Sequence, residues 1–224
     1  MRAWIGVLML VLLAACGRGV PQDARIVVAG DSVMAWNRVQ GGSVAHVLSQ
    51  TLGEPVGDVS LPFARVTGGR TGALDITQQV EGLQAEWVVL NGGANDLRAA
   101  CSCTGCDAML NRLIASDGRT GAIPAMVGDL RARGAKVLWA DYYTSPRFAG
   151  TACVGPYDTL KARLARLAAL DPGVVLVDMG DVIPSSDLSL FDGDRLHPSA
   201  KGSARIAALI AGRLRQADPA RFRD

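Results

Sequence analysis

The sequence predicts an α/β fold in which one parallel sheet is covered by helices on both faces. Three observations carry this prediction. The apolar runs are continuous rather than alternating, as in strands buried on both faces. Helical patterns separate successive runs, which is the rhythm of a parallel sheet. The 224 residues, 49% hydrophobic and 20% charged with frequent glycine and few aromatics, suit one ordinary globular domain.

Taken in order, 25–29 (RIVVA) reads as a first buried strand and 44–52 as the helix that follows it. A weaker strand is expected at 56–60 and a helix at 74–83, then a third strand at 87–90. Residues 98–119 break the rhythm: they carry a cysteine cluster and are long for a strand-to-helix connection, so they read as a functional insertion or a pinned rim. A helix at 122–132, a strand at 136–140, a helix at 157–170, a strand at 174–177 and a closing helix at 200–214 complete the series. The domain is expected to span 25–216, with 217–224 as a C-terminal tail.

The first residues have another character. Arg2 precedes an uncharged apolar run, 3–15, too short for the ~20 residues of a spanning helix and suited to the core of a signal peptide. That run ends LAAC and resembles the lipobox of bacterial lipoproteins, which implies cleavage before Cys16 and a lipid on its thiol. Residues 1–15 are then a signal peptide, 16–24 a lipidated tether, and the location the periplasmic side of a membrane in the cell envelope. Plain secretion is the alternative.

Export bears on the other cysteines. Cys101, Cys103, Cys106 and Cys153 are an even number in an oxidising compartment, and two disulfides are expected. Closing Cys101 to Cys103 across one residue is sterically awkward, so Cys153 is expected to bond to Cys101 or Cys103. A four-cysteine zinc site is the rival, but CSCTGC lacks the spacing of paired zinc knuckles. A bridge from this cluster to Cys153 would pin a wall of the pocket. The net charge of +2 comes with no basic stripe interleaved with aromatics, so nucleic acid is not an expected partner.

Ligands bind parallel sheets at the carboxyl ends of the strands. There the sequence places Gly30, Asp31 and Ser32 after the first strand, Gly68 and Gly69 beyond the second, NGGAND (91–96) after the third, and DRLH (194–197) before the last helix. Acyl transfer needs each of these pieces. A serine is a weak nucleophile until a base takes its proton. Of the two histidines, His46 sits within a helical pattern, whereas His197 lies in a loop held by Pro198. Asp194 is three residues before His197, close enough to fix the imidazole tautomer and leave Nε2 facing Ser32. The backbone amides of Ser32 and of a glycine loop, with the Asn95 side chain, would stabilise the oxyanion. Asp31 and Asp96 read as loop braces and Asp192 as a weaker rival to Asp194. Asp141, Tyr142 and Tyr143 end the fourth strand and stand to line the site. Met34 and Trp36 read as core more readily than as pocket.

Singly these signals are weak; their order and joint placement are not. The sequence resembles the SGNH/GDSL hydrolase family, whose blocks GDS, a lone glycine, GxND and DxxH match Gly30-Asp31-Ser32, Gly68, Gly93-Ala94-Asn95-Asp96 and Asp194-Arg195-Leu196-His197. The leucine of GDSL is Val33 here, and VTGGRTG leaves Gly69 as an alternative to Gly68. The resemblance implies a three-layer α/β/α flavodoxin-like fold of about five parallel strands. It also implies metal-free and cofactor-free hydrolysis of esters or thioesters through an acyl-Ser32. By the same resemblance His197 is the base, Asp194 its orienter, and the Ser32 amide, Gly68 and Asn95 the oxyanion hole. The substrate is then a small-molecule, glycan or lipid ester, and the protein a monomer. An O-acyltransferase and a non-catalytic acyl-glycan binding module are the alternatives on this fold. A flavin protein is disfavoured, because the first loop lacks a phosphate-cradling run of Ser, Thr and Gly.

Overall fold

A computed structural model describes residues 19–68 and 72–222. The expected signal peptide, Cys16 and Gly69 lie outside the described residues. Five strands, β1 (Ile26–Ala29), β2 (Val56–Asp58), β3 (Trp87–Leu90), β4 (Lys136–Asp141) and β5 (Val174–Asp178), pair in parallel in the order β2-β1-β3-β4-β5. The α-helices are α1 (Ser32–Ala35), α2 (Val44–Leu52), α3 (Ile76–Gln79), α4 (Ala94–Ala100), α5 (Asp107–Leu113), α6 (Ala122–Ala132), α7 (Val154–Leu170) and α8 (Ala200–Ala217).

The continuous apolar strands divide between two cores because side chains alternate across the sheet. Val88 and Leu90 of β3 face Leu110 and Leu113 of α5, Ile123 and Met126 of α6, and Leu160 and Leu164 of α7. Trp87 and Val89 face the opposite way, towards Val44 and Leu48 of α2 and Ile206 and Ile210 of α8. The result is the three-layer α/β/α arrangement expected of the sequence. The strand order reverses between β1 and β3, and the crevice at the carboxyl ends of those strands is where such sheets bind ligands.

Two segments differ from expectation. The helix expected at 74–83 is a single turn, α3, capped by Asp75 and ended at Val80, with Gly82 left-handed at φ +68°. Gln79 faces inward there: its Oε1 accepts from Gly30 N at 2.8 Å and its Nε2 donates to Gly30 O at 3.2 Å. Residues 98–119 are ordered by the end of α4 and by α5, whose Leu110 and Leu113 are buried. Both ends of the domain are tied down. Gly19 bridges Asp58 of β2 through two backbone hydrogen bonds of 2.8 Å, so the segment before β1 is pinned to the sheet edge at that residue. In the tail, Asp218 accepts from Lys136 Nζ at 2.5 Å and Trp87 Nε1 at 3.2 Å.

Candidate active site

Strand β1 ends at Ala29, and the next position is a glycine because nothing larger fits: a Cβ on Gly30 would stand 1.9 Å from Asn91 Oδ1, at a φ of +141°. The next residue, Asp31, caps α1 by accepting from Val33 N at 3.0 Å. Ser32 is thus the first residue of a helix, where the backbone amide has no intrahelical acceptor. Its hydroxyl lies 2.8 Å from His197 Nε2, and His197 Nδ1 lies 2.5 Å from Asp194 Oδ2. With Nδ1–H donating to the carboxylate, Nε2 is the acceptor for the Ser32 hydroxyl.

Asp194 is fixed from its other oxygen. Oδ1 accepts from the backbone amides of Leu196 at 2.9 Å and His197 at 3.0 Å. Burial pushes its carboxyl up, but these bonds and the one from the imidazole outweigh it and hold the group below the usual carboxylate range. The loop is shaped to this end: Arg195 is left-handed at φ 55°, Tyr143 donates to Leu196 O at 2.9 Å, and Ser199 caps α8.

Trp36 and Asp192 take parts the sequence did not reveal. The indole stacks on the His197 ring, with centroids 3.7 Å apart and planes 7° from parallel. Asp192 accepts from Trp36 Nε1 at 2.8 Å, and that bond lowers its carboxyl from the ordinary value. Asp192 therefore faces the tryptophan that backs the histidine. Met34 is fully buried in the core, as expected.

The two motif acids are braces. Asp31 accepts from Asn91 Nδ2 at 2.9 Å and from the Tyr142 hydroxyl, which itself accepts from Ala94 N at 3.3 Å. Burial raises the Asp31 carboxyl even though these donors pull it down. Asp96, likewise raised by burial, accepts from Val66 N at 3.0 Å, Thr67 N at 2.7 Å and Thr67 Oγ1 at 2.8 Å. Gly68 follows this clamp in a left-handed conformation, φ +74°, and is not among the described residues that line the cavity. Asn95 does line it; one hydrogen of its Nδ2 goes to Ala64 O at 3.0 Å. His46 is exposed on α2 beside Gln50, away from the site.

Ser32, Asn95 and His197 share a cavity of about 140 Å³ with Asp141, Tyr142, Tyr143 and Lys161. Part of its wall is the first half of α7, and α7 is capped by Cys153, which is disulfide-bonded to Cys103; Cys101 pairs with Cys106. The bridge thus joins the cluster loop to a helix that borders the cavity.

Solved structures share this architecture. A GDSL-like lipase from Bacteroides thetaiotaomicron is 16% identical with a TM-score of 0.57, over 93% of this chain and 96% of that one. The crystal structure of TesA is 18% identical with a TM-score of 0.63, over 86% of this chain and 98% of that one. A family two carbohydrate esterase from Clostridium thermocellum, solved with cellohexaose, is 16% identical with a TM-score of 0.61, over 88% of this chain and 65% of that one. At these identities the likeness is one of fold. Among curated proteins none matches the chain. The model of the GDSL-like Lipase/Acylhydrolase family matches residues 28–205, which run from β1 into α8 and include Ser32, Gly68, Asn95, Asp194 and His197; the chain belongs to that hydrolase family.

Proposed function

We propose that the protein is a serine esterase acting on carboxylic or thio-esters. The observation that carries this reading is the continuous hydrogen-bonded series from Asp194 through His197 to Ser32. In the first step Ser32 Oγ bonds to the ester carbonyl carbon while its proton passes to His197 Nε2. Asp194 holds the imidazole and balances the imidazolium that forms. Negative charge on the carbonyl oxygen is met by the Ser32 amide at the start of α1 and the second Nδ2 hydrogen of Asn95, both from residues that line the cavity. The bond to the leaving oxygen then breaks and His197 returns the proton to the alcohol. Water repeats the sequence on acyl-Ser32 and releases the acid. No step requires a metal or cofactor.

The test is hydrolysis of p-nitrophenyl esters from acetyl to long acyl by the wild-type chain and by Ser32→Ala. Turnover that disappears in the variant supports the reading. Turnover that persists means another group does the chemistry, and none on any ester, from protein shown to be folded, favours the binding module. We further propose that Cys16 is the lipidated residue and anchors the domain at the envelope; Cys16→Ser should move the protein from the membrane to the soluble fraction.

A further inference from the structure

The end of the cavity away from Ser32 holds polar groups that the protein does not pair. Among the described residues, the buried side-chain atoms without a hydrogen-bond partner are Trp139 Nε1, Asp141 Oδ2 and Ser145 Oγ. Two of these three residues, Asp141 and Ser145, line the same cavity as Ser32 and His197. They are only 2% and 3% exposed. A buried polar atom left unpaired costs folding free energy, and a ligand that supplies the partner recovers it.

The surroundings narrow the chemistry of that ligand. Asp141 ends β4 and is paired in register with Asp178 at the end of β5; Asp178 accepts from Lys161 Nζ. Asp141, Ser145 and Lys161 thus line one space, and their side chains carry both acceptors and donors. The walls are aromatic. Phe148 and Tyr157 stack with centroids 6.1 Å apart, and Phe63 lies at the cavity, 69% exposed, with a φ of 65° that a bulky side chain seldom adopts. Apolar faces combined with a few fixed polar groups orient a ligand that has C–H faces and hydroxyl edges. Strands β1 and β4 are separated by β3 alone, so two spacings of ~4.8 Å put the cluster roughly 10 Å from the nucleophile.

We propose that Asp141 and Ser145, with Lys161 beside them, form a hydroxyl-recognising subsite, so that the ester taken at Ser32 carries a polyhydroxylated ring such as a sugar. The assignment rests on the esterase reading. Burial lifts the Asp141 carboxyl to about 7, against the pull of a hydrogen bond from the Tyr142 amide and of Lys161 and with the push of Asp178 and Asp158, which gives this group access to both the acceptor and the donor form near neutral pH.

The test uses two acetates that share the acyl group, a monoacetylated monosaccharide and an alkyl acetate, with wild type, Asp141→Asn and Ser145→Ala. Each variant should raise KM for the sugar acetate about tenfold, the effect of one lost hydrogen bond, with a several-fold smaller loss on the alkyl acetate. Asp141→Asn keeps a side-chain oxygen to accept from the Tyr142 amide, and Ser145→Ala removes a hydroxyl with no partner, so Tm without ligand should hold or rise. Equal losses on both esters, or a fall in Tm, would mean a structural role and overturn the subsite. So would a wild-type preference for the alkyl ester, or for an acetate bearing an ammonium in place of hydroxyls. If no ester is turned over, the esterase reading fails separately. Calorimetry of the sugar acetate with Ser32→Ala then still decides: binding weakened by Asp141→Asn supports the subsite, and absence of binding overturns it.

Discussion

One cavity has two unlike ends. At the Ser32 end the acting groups are held by partners: His197 by Asp194 and Trp36, Asp194 by two backbone amides, Asn95 by Ala64 O. At the β4–β5 end, Asp141 Oδ2 and Ser145 Oγ have no partner among the described residues. The difference separates preparation for chemistry from preparation for recognition. Groups that stabilise a transition state act best when nothing must reorganise, whereas groups that choose a ligand must have hydrogen-bonding capacity to spare. Breaking the first end should therefore reduce kcat, and breaking the second should raise KM. The largest effect belongs to His197→Ala, with kcat expected to fall on the order of 10⁶-fold. Asp194→Asn should cost on the order of 10⁴-fold. Steady-state kinetics on a p-nitrophenyl ester would check both; a rise in KM with kcat intact would erase the distinction between the two ends.

The next effect appears in stability rather than rate. Burial pushes the Asp141 carboxyl in the folded chain up to about 7, above its ordinary value of 3.8. Between those values the folded chain keeps a proton that the unfolded chain has lost, so this group makes stability fall as pH rises from about 4 to 7 and adds no further change above that. A shift of this size corresponds to an upper bound of about 4 kcal/mol. Asp141→Asn removes the titration, so its stability relative to wild type should increase over that window, as read by urea unfolding at pH 4.5, 6 and 7.5. A constant difference across the three would place the Asp141 carboxyl in contact with solvent. Asn95→Ala follows, with kcat down 10²- to 10³-fold, the size expected of one oxyanion donor.

Much of the paired end was legible in the sequence and little of the unpaired end was. Ser32 and Asn95 stand in short motifs that follow continuous apolar strands, and Asp194 and His197 stand three residues apart in one motif, close enough to bond. Residues that act through the tertiary fold left no such trace. The sequence of α3 has a helical pattern, yet Gln79 is spent on Gly30 and the helix stops after one turn. The Tyr142 side chain reaches Asp31 across 111 positions of chain. Asp141 and Ser145 are distinctive because of what they do not touch, and no sequence pattern encodes a missing partner.

The smallest predicted effect resolves a rivalry that spacing alone left open. Asp192 and Asp194 both lie within reach of His197 in sequence, but only Asp194 bonds to the imidazole; Asp192 bonds to the indole that stacks on it. If Asp192 acts only by holding Trp36, its influence must pass through that ring. Trp36→Leu removes the surface that keeps the imidazole in plane and should lower kcat about tenfold, and Asp192→Ala about threefold, since one neutral-donor hydrogen bond is worth a few-fold. The two losses should not add. In the Trp36→Leu background, Asp192→Ala should leave kcat where it is, because the bond it removes no longer exists. A threefold loss that persists there would show Asp192 acting directly on His197, and the histidine would then answer to two carboxylates rather than to one carboxylate and a ring.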